Sequence, residues 1–508
     1  MKINKTKNLS KNIAYGFIYK MISMFFPFFI RTIIIQVLSS EYLGLSSLFT
    51  SILQALNLIE LGLGSALVFN MYDYVAKNDK EKICNYLSFY KKCYKIIGII
   101  ILIIGIIIMP FIKYFISGTY PSDINIYILY FIYLINTVLN YCMFSYKNSV
   151  ALAYQRIDIE NKILCITQTI LYILQIILLL VFKNYYIYIV LLPIFTILKN
   201  ILISFKINST YPDIKAIGMI TKNEQQQVVN NIKNLFGHQI AFTVINSADN
   251  IILSAMLGLH KLTIYNNYYY IFNALVSICT LLFSSIQAGI GNSIIVDRNE
   301  VVYNNYKRFR RIVYSLVCII SICMFCLYQP FMKIWMGESM MLNKNSMLIF
   351  VLGFYITQVR RVVTTYKNAA GMWKDDFLKP YIVIIVDIVL DIILIPIVGV
   401  IGAMIATIIS MGLIAIPWEN YILHRNLLKK ELKEQYVFMF KEFLILVISL
   451  YICDIFVNYI SITGIYGIVI KGISAFLIAL IINIVVHKNS SEGIWIKQRL
   501  ILFIKNRK

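Results

Sequence analysis

The strongest constraint on this chain is the recurrence, from end to end, of apolar runs of 18 or more residues. A run of that length matches the hydrocarbon thickness of a bilayer when it is helical. Closed β-barrels are disfavoured, because their strands alternate in segments of about ten residues. The composition agrees: of 508 residues, 59% are hydrophobic and only 14% are charged, too few to wet the surface of a soluble particle of this size. The expected fold class is an all-α polytopic membrane protein of about fourteen transmembrane helices, the first near 12–37 and the last near 465–486.

The net charge of +23 invites a nucleic-acid reading, but its distribution argues against one. One set of connections carries Lys2 to Lys20, Lys77 to Lys95, Arg298 to Arg311, Arg425 to Lys441 and the tail from Lys488. The opposite set holds only Lys113, Lys183, Lys261, Lys333 and Lys344. Positive residues stay cytoplasmic, so both termini are expected inside, and the basicity reads as topology plus attraction to anionic membrane lipids. No nucleic-acid partner is expected. Residues 2–11 lead into an apolar run too long for a signal-peptide core, and that run is read as the first span. Nine cysteines fall mostly within spans or on the cytoplasmic side, so no disulfide framework is implied. Cys323 and Cys326 form a CxxC inside an apolar run without a second ligand pair, and helix packing explains it best.

A polar interruption from Lys206 to Lys233 divides the spans into six and eight. The expected domains are a six-helix lobe at 1–206, a cytoplasmic linker at 207–235, a second six-helix lobe at 236–423, and two added helices with a basic tail at 424–508. The lobes resemble each other weakly. Arg31 followed by TIIIQVL leads to a span closing in ELGLGSALV (60–68), and Asp249 followed by NIILSAML leads to one closing in QAGIGNSIIV (287–296). Repeats of this kind commonly flank a site that opens alternately to each side.

Ionisable groups inside spans cost about 2.5–3.5 kcal/mol each, so each needs a reason. Arg31 lies in FFPFFIRTIIIQVL shortly after Pro27. It either snorkels to an interface or faces a cavity that binds an anion, for which the two-pronged guanidinium is suited. Asp249 and Asn250 form a polar patch in mid-span, either a hydrogen-bond cluster or a cavity lining. Asp387 and Asp391, one turn apart, share a helix face. They suit a proton site, a Na⁺ site or pairing with arginine. Glu60, beside Gly62 and Gly64, is placed at the cytoplasmic mouth. Lys199 and the Arg360–Arg361 pair lie near span ends, where snorkelling and ligand binding explain them equally, and Arg361 is counted with the cavity residues. Asp454 has no evident partner. No catalytic residue, metal site, Walker motif, GxSxG, HExxH or dinucleotide fingerprint is present. No cofactor is expected beyond H⁺ or Na⁺ as coupling ion.

The order of YLGL (42–45), ELGLGSALVFNMYDYVAKNDKEKI (60–83), YKKCYKIIG (90–98) and GVIGAMIATIIS (399–410) resembles the Wzx-type polysaccharide or O-antigen flippases. These belong to the multidrug/oligosaccharidyl-lipid/polysaccharide exporter superfamily. The resemblance covers most of the chain. It implies two lobes of the MATE-like type, alternating access, and movement of an undecaprenyl-diphosphate-linked oligosaccharide across the bacterial cytoplasmic membrane, beside polymerase and glycosyltransferase partners. Asp387 and Asp391 depart from it, standing where Asn-like residues are expected. The alternatives are a cation-coupled multidrug exporter, with an acidic cavity and no need for Arg31, and a membrane polymerase or glycosyltransferase, which would need a long outer loop. A non-transporting scaffold would leave Arg31 and Asp249 unexplained.

Overall fold

The computed structural model describes residues 5–57 and 63–505. Among them are seventeen α-helices joined by short turns, with no strand. Ten helices are long and apolar enough to cross a membrane, and the bent pair Ile126–Cys142 and Ser145–Ala153 makes an eleventh. The chain is a multi-pass membrane protein. The fourteen spans expected from the sequence exceed this number at identifiable places. Helix α2 (Ser40–Leu56) has 17 residues. Helix α15 (Leu432–Asn458) carries Lys441, Glu442 and Asp454. Helix α9 (Lys222–Val296) is a single 75-residue element interrupted once, at Gly258.

The polarity of the helices is inverted relative to a soluble bundle. Ile103, Ile107, Val181, Ile385 and Ile393 face outward, each more than half exposed, whereas Gln175, Asn200, Gln358, Asp387 and Glu419 are at most 3% exposed. Large exposed apolar areas mark a surface covered by something other than water, and here the cover is lipid.

Packing divides the chain into residues 1–263 and residues 264–508. The first unit contains α1 (Lys5–Val37), α2, α3 (Leu63–Lys77), α4 (Lys80–Ile108), α5 (Ile126–Cys142), α6 (Asn148–Ala153), α7 (Ile157–Phe182), α8 (Tyr185–Thr210) and the first part of α9. The break in α9 has a local cause. Gly258 has φ 83° and ψ 175°, which turns the chain after it out of the helical ladder and leaves carbonyls of the last turn short of donors. The Ser117 N–H donates to one carbonyl there, that of Ser254, at 3.0 Å. A Cβ on Gly258 would meet the Ser117 carbonyl at 2.7 Å, so only glycine fits. Close by, a Cβ on Gly44 would lie 2.5 Å from the Leu259 carbonyl. The YLGL turn therefore brings α2 backbone-to-backbone against α9.

These contacts set the division later in the chain than the polar stretch 207–235. Within that stretch only residues 211–221 are non-helical. The first part of α9 bonds to α2 through Asn250 to Ser51 (2.9 Å), Thr263 to the Ser40 carbonyl (2.7 Å) and His260 to Ser40 (2.7 Å).

The second unit contains the rest of α9, α10 (Asn299–Met336), α11 (Lys344–Ala369), α12 (Lys379–Val398), α13 (Ile401–Ile409), α14 (Ile416–Ile422), α15, α16 (Gly464–His487) and α17 (Ser491–Lys505). Two π-helical turns, Ser410–Ala415 and Leu423–Leu428, interrupt the stretch from α13 onward. Such turns often mark functional positions.

Candidate functional site

In the first unit, α1 continues through Pro27 and places Arg31 one turn later, partly buried. Its guanidinium lies within electrostatic reach of Tyr185 and Tyr188 on α8. Those rings belong to a hydroxyl cluster. Tyr133 donates to Ser46 at 2.8 Å and lies 3.1 Å from the Tyr185 hydroxyl, and Tyr42 donates to Asp123 at 2.6 Å. Arg31 therefore lies within electrostatic reach of its own lobe's tyrosine hydroxyls.

Asp249 is 4% exposed, and its neighbour Asn250 reaches Ser51 of α2. Ser247 and Ser254, at 1% and 0% exposure, continue the same polar side of α9. Glu60 lies outside the described residues. Lys199 does not need a snorkelling explanation. It shares charge with Glu160 on α7, which Asn148 also contacts at 3.0 Å.

The second unit places its charges differently. Arg360 grips Glu419 with two hydrogen bonds, Nε to Oε2 at 2.9 Å and Nη2 to Oε1 at 2.8 Å. Lys379 also reaches Glu419, and it reaches Asp376 at 2.6 Å. Lys367 pairs with Asp376, and the Thr364 hydroxyl donates to Glu419 at 3.1 Å. Three cations thus hold two carboxylates whose side chains are 0% exposed. Such a knot is sensitive because removing one partner leaves an uncompensated buried charge.

Arg361, the next residue, points away from this knot. It donates to Thr280 at 2.7 Å and lies 6.0 Å from the Phe283 ring centre. Among the described residues no acidic side chain pairs with it. The sequence leaves snorkelling and ligand binding equally open for Arg360 and Arg361; the structure makes the first a structural ion and leaves the second without an acidic partner among the described residues.

Asp387 and Asp391 are both 0% exposed on α12, and their carboxylates approach within 4.8 Å. The Ser410 hydroxyl, at the start of the first π-turn, donates to Asp387 at 2.7 Å. The expectation that both acids share a face holds. The pair has the geometry to hold a proton or a small cation.

Two further placements were not legible in the sequence. Asp454 has a partner after all, Lys344, at 2.7 Å. Arg311 pairs with Glu442 and lies 3.0 Å from His487, tying α10 to α15 and α16. Arg310 meanwhile stacks over Phe438 at 3.8 Å. Glu419, Glu442 and His487 carried no pattern signal, since each stands near an end of its apolar run.

No family model matches the chain, and no curated protein matches its sequence. Solved structures do match. The inward closed conformation of the lipid II flippase MurJ has a TM-score of 0.67 at 15% identity, over 94% of this chain and 99% of that one. An inward-facing MATE multidrug resistance transporter of the MOP superfamily has a TM-score of 0.59 at 12% identity, over 81% and 97%. A Vibrio cholerae MATE transporter has a TM-score of 0.54 at 12% identity, over 84% and 99%. The chain has the fold that these MOP superfamily members share.

Proposed function

We propose that this protein is a flippase that moves a lipid-linked oligosaccharide across a bacterial cytoplasmic membrane for surface polysaccharide synthesis, by alternating access and without enzymatic chemistry. The observation that carries this reading is the end-to-end fold likeness to a flippase of a lipid-linked precursor. The likeness to the MATE transporter covers less of the chain. Arg361, which donates to Thr280 and pairs with no acidic side chain among the described residues, supports it, as does Arg31 within reach of the Tyr185 and Tyr188 hydroxyls. A diphosphate and its sugars cannot enter hydrocarbon unaided, because each desolvated polar group costs several kcal/mol. A guanidinium group can bind two phosphate oxygens at once. Moving about two negative charges outward across 100 mV yields roughly 4.6 kcal/mol, so export does not require ATP. An O-antigen or capsule precursor is the cargo this reading names, with polymerase and glycosyltransferases as partners in the pathway.

The test is surface polysaccharide in a flippase-deleted strain, normalised to inserted protein. Arg31→Ala is expected to abolish export with protein still in the membrane, and Arg31→Lys to restore it only in part, because lysine keeps the charge and loses the fork. Full export from both variants would remove Arg31 from the cargo site. Full export from the lysine variant alone would reduce its role to charge.

A second reading, a cation-coupled exporter of small molecules, is favoured by the buried Asp387–Asp391 pair. It predicts drug resistance that depends on these acids and not on Arg31.

A further inference from the structure

Lysine is scarce on the connections opposite the basic face, where the charge pattern leaves Lys113, Lys183, Lys261, Lys333 and Lys344. Two of these five, Lys333 and Lys344, line one cavity of about 790 Å³ in the second unit, and Lys471 lines it too. The cavity lies among α10, α11, α15 and α16. Its walls are apolar, including Phe325, Met347, Val457 and Ile468. Lys471 is the residue least explained by topology. It stands seven residues into α16, roughly 10 Å along the helix at 1.5 Å per residue. An ammonium at that depth is costly unless it faces a wet or charged site. Among the described residues no acidic side chain forms an ion pair with Lys471.

The other two lysines are held only loosely. Lys344 bonds Asp454, the one acid lining the cavity, at 2.7 Å. Lys333 reaches Glu338 at 2.6 Å, but both side chains are more than 60% exposed. Exposed pairs contribute little and exchange partners readily. The lining therefore carries three ammonium groups against one carboxylate, on apolar walls that suit acyl or prenyl chains.

We propose that this cavity binds the phosphate-bearing headgroup of a lipid, with Lys333, Lys344 and Lys471 as the anion's partners. The site is separate from Arg31 and Arg361 and does not depend on which cargo the protein moves. On the charge-based orientation it opens toward the outer leaflet. Two sources share the required chemistry, an anionic phospholipid of the membrane and a prenyl diphosphate.

The experiment titrates the full chain, purified in neutral detergent micelles, with phosphatidylglycerol, phosphatidylcholine, a short-chain polyprenyl diphosphate and inorganic phosphate. Binding is followed by native mass spectrometry. Lys471→Gln is expected to weaken the anionic lipids about fivefold and the Lys333→Gln, Lys471→Gln double variant about 25-fold, with phosphatidylcholine unchanged. Loss confined to phosphatidylglycerol assigns the site to membrane lipid, and loss confined to the prenyl diphosphate assigns it to that lipid; either supports the proposal. Equal affinity of parent and double variant for both anionic lipids would overturn it. Lysine-dependent binding of inorganic phosphate in place of either lipid would overturn the lipid assignment. Lys333→Gln alters an exposed side chain, so it keeps the test valid even where Lys471→Gln disturbs packing.

Discussion

The two units bury charge in different ways. Among the described residues of 1–263, Lys77–Asp73 and Lys80–Asp213 have side chains at least half exposed, and Lys82–Glu224 and Arg156–Asp158 join a partly exposed cation to a more sheltered carboxylate. The deeper cation, Arg31, sits among tyrosine hydroxyls. Residues 264–508 keep exposed pairs too, Lys333–Glu338 and Lys344–Asp454, but they also bury some, with Glu419, Asp376 and Lys367 at 2% exposure or less and Arg311 against Glu442. Buried ions with fixed partners hold helices in register, whereas a cation such as Arg361, with no acidic partner among the described residues, remains able to bind a charged visitor. A cation's neighbours separate structural charge from working charge better than its depth does.

The sharpest way to break this comparison is Glu419→Gln. It leaves Arg360, Lys367 and Lys379 with one carboxylate between them, and removing one partner of a buried pair costs about 3–5 kcal/mol. Size-exclusion chromatography of a fluorescent fusion should show most of the folded peak lost. A normal peak and melting temperature would mean that the knot does not hold the second unit together.

The neighbouring arginines sharpen the comparison directly. Arg360→Gln should lower the amount of folded protein. Arg361→Gln should leave the amount unchanged and reduce export about tenfold, the loss of one charge-assisted hydrogen-bonding group. Equal effects on folded protein would erase the distinction between the two positions.

Asp387 and Asp391 test whether a buried acid pair belongs to the working class. Asp387→Asn and Asp391→Asn should each displace the pH profile of transport while leaving insertion normal. Profiles that match the parent at every pH would assign the pair to packing.

The smallest effect is expected at the margin of the first unit. Burial pushes the Glu224 carboxyl up, but hydrogen bonds from Lys82 and Thr221 outweigh it and hold the group at about 2, below the ordinary value of 4.5 for a glutamate. The folded-state value is depressed, so the contribution is complete above about pH 4.5 and disappears as pH falls toward 2. Glu224→Gln should cost less than about 1 kcal/mol at pH 7, because the site is near solvent. The difference from the parent should close as the melts are taken into acid.

Much of this architecture was legible in the sequence. Membrane residence follows from the apolar runs, and the shared face of Asp387 and Asp391 follows from their spacing of four. The inward turn of Arg31 was one of two readings its apolar flanks allowed. What local pattern could not supply was partnership. Arg360 and Glu419 are 59 residues apart, and Lys344 and Asp454 are 110 apart. Nothing in the periodicity of α11 says that its neighbour presents a carboxylate at that height. Lys471 was equally silent, an isolated lysine in an apolar run until α10 and α11 brought Lys333 and Lys344 to the same cavity.

The sequence by itself determined what each segment is: helix length, membrane residence and the faces on which charges fall. These are properties of hydropathy and of a 3.6-residue period, both of which act within one helix. The tertiary structure alone decided which charges neutralise one another and which remain available. That outcome depends on the rotation and height of each helix against its neighbours, where one residue of register, about 1.5 Å and 100°, separates a bidentate Arg360–Glu419 contact from an Arg361 that meets only Thr280 and a phenyl ring.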